Sequence, residues 1–113
     1  MLNYAIAPQE DIDFWSHDYT GSDMPIRFEG YKPLGTRMGE TRMSPDGSSR
    51  IYLHKKLCGH PTAIRIVLWH EFCHGWAWYD VRHGGHGKPF QERDLRRPLN
   101  WLMGIWPALV IMF

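Results

Sequence analysis

The chain has 113 residues, of which 43% are hydrophobic and 22% are charged, and its formal net charge is +1. This length suits one hydrophobic core, so we expect residues 1–113 to fold as a single domain. The composition excludes wholesale disorder, and the small charge excludes binding that depends on a large overall charge. Two cysteines are too few for a disulfide framework, and residues 1–10 lack a signal-peptide pattern. We therefore expect a cytoplasmic protein with reduced thiols.

The first half of the chain, residues 1–50, is rich in glycine and proline, which predict short strands and loops in place of a long helix. Residues 25–31 alternate between apolar and charged side chains, as a half-buried strand does. Residues 50–54 alternate in the same way and follow a turn signal at residues 44–47. Together these two segments predict a small antiparallel sheet.

A long helix is predicted from Pro61 or Thr62 to about Tyr79. Proline suits the first turn of a helix, because the amide hydrogen that it lacks would have no partner there. The apolar residues of this segment recur at spacings of three and four, and they include Ile64, Val67, Leu68, Phe72 and Trp76. Two further apolar residues, Ile66 and Trp69, widen this stripe, so most of the helix should be buried.

Three glycines within residues 84–87 predict an irregular loop after this helix, and residues 89–97 predict a short charged helix that Pro98 ends. The apolar C-terminal segment, residues 99–113, carries no charge. It is shorter than the roughly 20 apolar residues that a membrane-spanning helix needs. We expect it to be buried or packed on a partner, and the arginine cluster at residues 93–97 keeps membrane association as an alternative.

Residues 70–74 carry the pattern HExxH. On a helix, His70 and His74 point the same way and can hold one metal ion together. Glu71 lies about 100° around the helix from His70, beside the open position of the metal, where its carboxylate can take a proton from water. Zinc would activate that water and polarise a carbonyl. The pattern therefore predicts a zinc site that hydrolyses peptide bonds, with Glu71 as the general base.

A catalytic zinc site needs a third protein ligand, for which Asp80, His83 and His86 are candidates. Asp80 stands where the metzincin pattern HExxHxxGxxH has its third histidine, but Ala77 replaces the glycine of that pattern. His83 could be the ligand, an oxyanion donor or a solvated loop residue. Ligand chemistry by itself leaves the choice open.

The HExxH helix is followed by a short loop and by an HGxxF run at residues 86–90. This combination resembles the SprT-like zinc metalloproteases, a family that includes Spartan-type proteases acting on DNA–protein crosslinks. The resemblance covers about residues 51–90, the expected catalytic core, and implies that His86 is the third zinc ligand. The chain has no CxxC pair of the kind that forms the zinc-binding module of many bacterial members, so the resemblance by itself does not predict a nucleic-acid partner.

These observations together predict an α+β zincin-like metalloprotease domain with a short antiparallel sheet and an HExxH active-site helix. The expected function is that of a zinc endopeptidase acting on a protein or peptide substrate. A strand near residues 51–53 could hold an extended substrate by backbone pairing. Two alternatives remain: a non-catalytic, zinc-stabilised interaction protein, and a small membrane-associated protease that uses residues 99–113. The oligomeric state is left open.

Overall fold

The computed structural model describes residues 7–97. Its elements are α1 (Pro8–Thr20), β1 (Ile26–Lys32), β2 (Gly39–Met43), β3 (Ser49–His54), a 3-10 turn (Lys55–Leu57), α2 (Pro61–Val81) and α3 (Lys88–Asp94). The α+β class is confirmed. The apolar segment 99–113 lies outside the described residues. Within residues 7–97, no helix is long and apolar enough to cross a membrane.

The sheet has three strands in the order β1-β3-β2, with β3 in the centre. β1 runs parallel to β3, whereas β2 runs antiparallel to β3. The prediction of an antiparallel sheet is therefore wrong for the pair β1 and β3, although both strands were predicted. The reason is β2, a strand that the sequence pattern did not single out: the chain reverses direction between β1 and β2 and again between β2 and β3, so β3 runs parallel to β1. Alternation of apolar and polar residues shows which face of a strand is buried, but it does not show whether the neighbouring strand runs parallel or antiparallel.

The helix α1 is a second departure, because residues 1–50 were expected to contain no long helix. Pro8 lies in its first turn together with the acidic residues Glu10 and Asp11, and Gly21 ends it with φ of 76°. Both ends are favourable, since a helix N-terminus accepts proline and acidic side chains and its C-terminus accepts a left-handed glycine. Residues 9–20 contain neither glycine nor proline. The glycines and prolines of residues 1–50 thus lie outside residues 9–20.

The helix α2 confirms the predicted long helix and extends two residues past Tyr79. Leu68, Phe72 and Trp76 are at most 2% exposed and belong to one core with the β3 residues Ile51 and Leu53. α1 joins the same core, where the rings of Trp15 and Trp69 meet edge to face with centroids 5.1 Å apart. Both long helices therefore pack against one face of the sheet.

The two edges of the sheet have different hydrogen-bond partners. At β1, the Gln9 side chain of α1 donates from Nε2 to the Ile26 carbonyl oxygen at 3.1 Å, and the Phe28 amide donates to Gln9 Oε1 at 2.7 Å. At the opposite edge, no strand within residues 7–97 pairs with the outer side of β2. The Trp78 indole donates to the carbonyl oxygen of Ser44 at 2.7 Å, which ties the β2–β3 hairpin to α2. The open edge of β2 therefore lies beside α2, the helix that carries HExxH.

Candidate metal centre

Three imidazole rings converge beside α2. His70 and His74 come from consecutive turns of α2, and His86 comes from the loop between α2 and α3. His86 Nε2 lies 3.1 Å from the Nε2 atoms of both His70 and His74. Ligand nitrogens around tetrahedral zinc lie about 3.3 Å apart, given Zn–N bonds of about 2.0–2.1 Å. Among residues 7–97, these histidines are the group of three potential ligands that could hold one metal ion.

The end of α2 turns the chain so that His86 returns to the helix. Arg82 adopts a left-handed conformation with φ of 53° and donates from Nη1 to the Trp78 carbonyl oxygen at 3.0 Å. Gly85 supplies a second positive φ of 84°. The Gln91 side chain of α3 then donates to the carbonyl oxygen of His86 at 2.8 Å, which fixes the returning segment. The glycine-rich loop predicted at residues 84–87 is therefore the element that delivers the third ring.

The two other candidate ligands make different contacts. The Asp80 carboxylate forms an ion pair with Arg93, with Nη2 and Oδ2 2.9 Å apart. The His83 ring packs beside Gly87, where a Cβ atom would lie 2.7 Å from His83 Nε2. Neither side chain belongs to the group of three histidines within the described part of the chain. The structure thus brings His86 to His70 and His74 and leaves Asp80 and His83 apart from them.

The surroundings of His70 and His74 lower the pKa of both rings. Burial, followed by the neighbouring His70 and His86, lowers the pKa of His74 to about 4. Burial and the proximity of His86 also lower the pKa of His70. A histidine binds a metal through a deprotonated nitrogen, so a lowered pKa makes that nitrogen available at neutral pH. The donor set therefore suits a metal cation.

Phe90 forms a shared packing surface for the three imidazoles. Its ring is stacked on His74 at a centroid distance of 4.4 Å and meets His70 and His86 at 4.9 and 5.0 Å. Phe90 is 5% exposed. The aromatic residue of the HGxxF run, to which the sequence assigned no role, thus restricts the orientation of all three histidines.

Glu71 is 6% exposed and faces β2. The Thr41 hydroxyl donates to Glu71 Oε1 at 2.7 Å. Gly39 lies against the same side chain, since a Cβ atom at this position would come within 2.7 Å of Glu71 Cγ. Burial raises the pKa of Glu71, and the hydrogen bond from Thr41 opposes that rise. Neither Thr41 nor Gly39 was a candidate from the sequence, because no strand was predicted at residues 39–43, although this segment alternates weakly in polarity.

A cleft of about 540 Å³ runs between β2 and α2. Its wall includes the three histidines and Glu71, and its apolar lining comprises Met38, Met43, Ile66 and Val67. The predicted substrate-binding strand near residues 51–53 is β3, which lies between two paired strands and has no free edge. That expectation is wrong, because β2 occupies the position beside the cleft.

Comparisons with known proteins identify a family and no individual relative. Neither a curated protein nor a solved structure matches the chain. The model of the SprT-like family matches residues 9–96. This match extends well beyond the resemblance at residues 51–90 and includes α1, the sheet and α3. The chain therefore belongs to the SprT-like family.

Proposed function

We propose that this protein is a zinc-dependent metallopeptidase that cleaves within protein or peptide chains. The observation that carries this proposal is the convergence of three imidazole nitrogens beside a buried carboxylate on one wall of a cleft. Uncharged imidazole donors favour zinc over magnesium or calcium, which prefer oxygen ligands. His70, His74 and His86 would hold the ion. When bound, zinc supplies a Lewis acid that polarises a carbonyl and makes water more acidic.

Glu71 is the proposed general base. Thr41 holds its Oε1 atom, while Oε2 accepts no hydrogen bond from any residue between 7 and 97. The free oxygen can take a proton from the attacking water and later pass it to the leaving amine. The burial that raises the pKa of Glu71 makes this carboxylate a better proton acceptor than an exposed one.

The open edge of β2 is the proposed binding site for the substrate backbone. An extended peptide can add to an exposed strand through main-chain hydrogen bonds. β2 runs beside Glu71, so a peptide paired with it would pass close to the three histidines. The apolar cleft residues Met38, Ile66 and Val67 would then contact substrate side chains. An internal segment of a longer chain suits this arrangement, which favours endopeptidase activity.

Replacement of Glu71 by Gln tests the proposed base. The amide retains the size of the side chain and cannot accept the proton, so cleavage of an unfolded protein should fall about 10²–10⁴-fold. Zinc content, measured by mass spectrometry, should stay at the wild-type level because Glu71 is not one of the three ligands. A matched His74→Ala variant should lose both zinc and cleavage. Unchanged cleavage by Glu71→Gln would contradict the assignment.

A non-catalytic, zinc-stabilised interaction protein is the second candidate. The observation that favours it is that the histidines join α2 to the following loop, so an ion would cross-link two elements. Removal of zinc with a chelator separates the two functions. Loss of helical circular dichroism would support the structural role, and loss of cleavage with the fold retained would support the catalytic one. A membrane-associated protease depends on residues 99–113 and stays a prediction, as does the cytoplasmic location.

A further inference from the structure

The face of the sheet opposite α1 and α2 carries a row of arginines. The strand register places Arg27 opposite Arg50, and Arg50 opposite Arg42, so that the three lie side by side across β1, β3 and β2. All three side chains are exposed. Neighbouring strands lie about 4.8 Å apart, so this arginine row spans about 10 Å.

The arginine row is only partly neutralised by its surroundings. Glu40 lies within 3.0 Å of Arg42, 3.1 Å of Arg37 and 3.6 Å of Lys32, so three cations share one carboxylate. The side chains of Arg27 and Arg50 form no ion pair or hydrogen bond with any residue in the described range 7–97. This face of the sheet therefore carries an excess of positive charge, although the formal net charge of the chain is only +1.

Such a row opposes folding, because like charges placed directly opposite one another on neighbouring strands repel. Among residues 7–97, no element packs over these side chains to compensate for the repulsion. A partner with several negative charges would offset the repulsion among the three arginines. Guanidinium groups bind carboxylates in a bidentate manner. We propose that the arginine row docks an acidic helical segment of another protein.

Two features of this face favour a protein partner over nucleic acid. The Tyr52 ring lies in the adjacent row but is covered by Lys32 at 4.0 Å and approached by Arg42 at 4.6 Å, so it offers no free stacking surface for a base. The carboxylate of Glu40 would repel a phosphodiester backbone, whereas a protein can present a basic residue to it. Acidic side chains at positions i and i+4 of a helix lie about 5–6 Å apart, close to the strand spacing.

The test measures binding of a fluorescent, alanine-based helical peptide with glutamates four residues apart, by anisotropy at low salt. Arg50→Glu in the full chain should weaken binding about three- to tenfold, given the strength of exposed ion pairs and the reversal of charge. Arg27→Glu should act in the same direction. Lys88→Glu is the matched control, since it makes the same charge change on α3, where the side chain is 85% exposed. Circular dichroism verifies that each variant is folded.

The expected result is a glutamate-dependent affinity that falls with added salt, falls in both arginine variants and persists in Lys88→Glu. Three results would overturn the proposal. The first is an absence of peptide binding, and the second is an equal loss in Lys88→Glu, which would show dependence on overall charge alone. The third is tighter binding of a single-stranded oligonucleotide through the same arginines, which would assign the row to nucleic acid. The assay requires no cleavage, so its outcome is independent of the proposed peptidase activity.

Discussion

The two sides of α2 show how one helix combines stability with chemistry. On the core side, Leu68, Phe72 and Trp76 are almost fully buried among apolar neighbours. On the cleft side, Glu71 and His74 are also nearly buried, at 6% and 9% exposure, but both are ionisable and each has a shifted pKa. Burial of ionisable groups opposes folding, whereas burial of apolar surface drives it. The core side therefore provides the rigidity that lets the cleft side hold its groups in place.

Replacement of Phe72 by Ala removes a large part of the core side and should have the largest effect. Phe72 has no exposed surface and contacts both Trp15 and Trp76 through its ring. The cavity and the lost burial should lower the free energy of unfolding by about 3–5 kcal/mol. Urea denaturation measures this change. Phe14→Ala is the matched control on α1, because Phe14 is 62% exposed and its loss should be nearly neutral. Equal effects of the two variants would contradict the distinction between core and surface.

Replacement of Thr41 by Val alters the cleft side with little change in volume. It removes the hydroxyl that donates to Glu71 Oε1 and leaves the carboxylate without that donor. This hydrogen bond holds Glu71 Oε1 in place, so its loss should misorient the proposed base, and we expect kcat/KM for peptide cleavage to fall about ten- to a hundredfold. Zinc content should remain unchanged. Thr62→Val at the exposed start of α2 is the control, and a normal kcat/KM for Thr41→Val would remove Thr41 from the site.

Replacement of Gly75 by Ala tests the contact between α2 and the sheet and should have the smallest effect. Helix propensity by itself predicts that alanine stabilises the helix by about 1 kcal/mol. In the structure, however, a Cβ atom at this position would lie 2.7 Å from Ser49 Oγ and 3.1 Å from Ile26 Cδ1. Overpacking of this kind typically costs about 1–3 kcal/mol, so we expect a net loss of about 1 kcal/mol in chemical denaturation.

Gly84→Ala is the control for this substitution, since its nearest neighbour would be the Met43 sulfur at an ordinary 3.7 Å. A gain in stability for Gly75→Ala would show that the sheet yields and that propensity dominates. The same glycine is thus explained differently by the sequence and by the structure. From the sequence it is only a weak helix former, whereas in the fold its missing side chain allows α2 to approach β1 and β3 closely.

The sequence predicted the parts of the site that depend on local periodicity. A spacing of four residues places His70 and His74 on one strip of any helix, and the apolar stripe of α2 indicated that the helix would form. Glu71 follows from the same geometry. The HGxxF run pointed to His86 through resemblance, whereas ligand chemistry left His83 and Asp80 as alternatives. These predictions required no knowledge of how distant segments meet.

The surroundings of the site could be decided only by the tertiary structure. That β1 pairs in parallel with β3, and that β2 rather than β3 flanks the cleft, depends on competition among strands for the same edges. The contacts of Thr41 and Gly39 with Glu71 and the packing of Phe90 on three imidazoles join residues far apart in the chain. Periodicity within a segment records which side of it is buried, and it contains no information about which segment covers that side. The sequence by itself therefore determined the candidate ligands and the candidate base, while the fold decided which residues surround them and which strand edge borders the cleft.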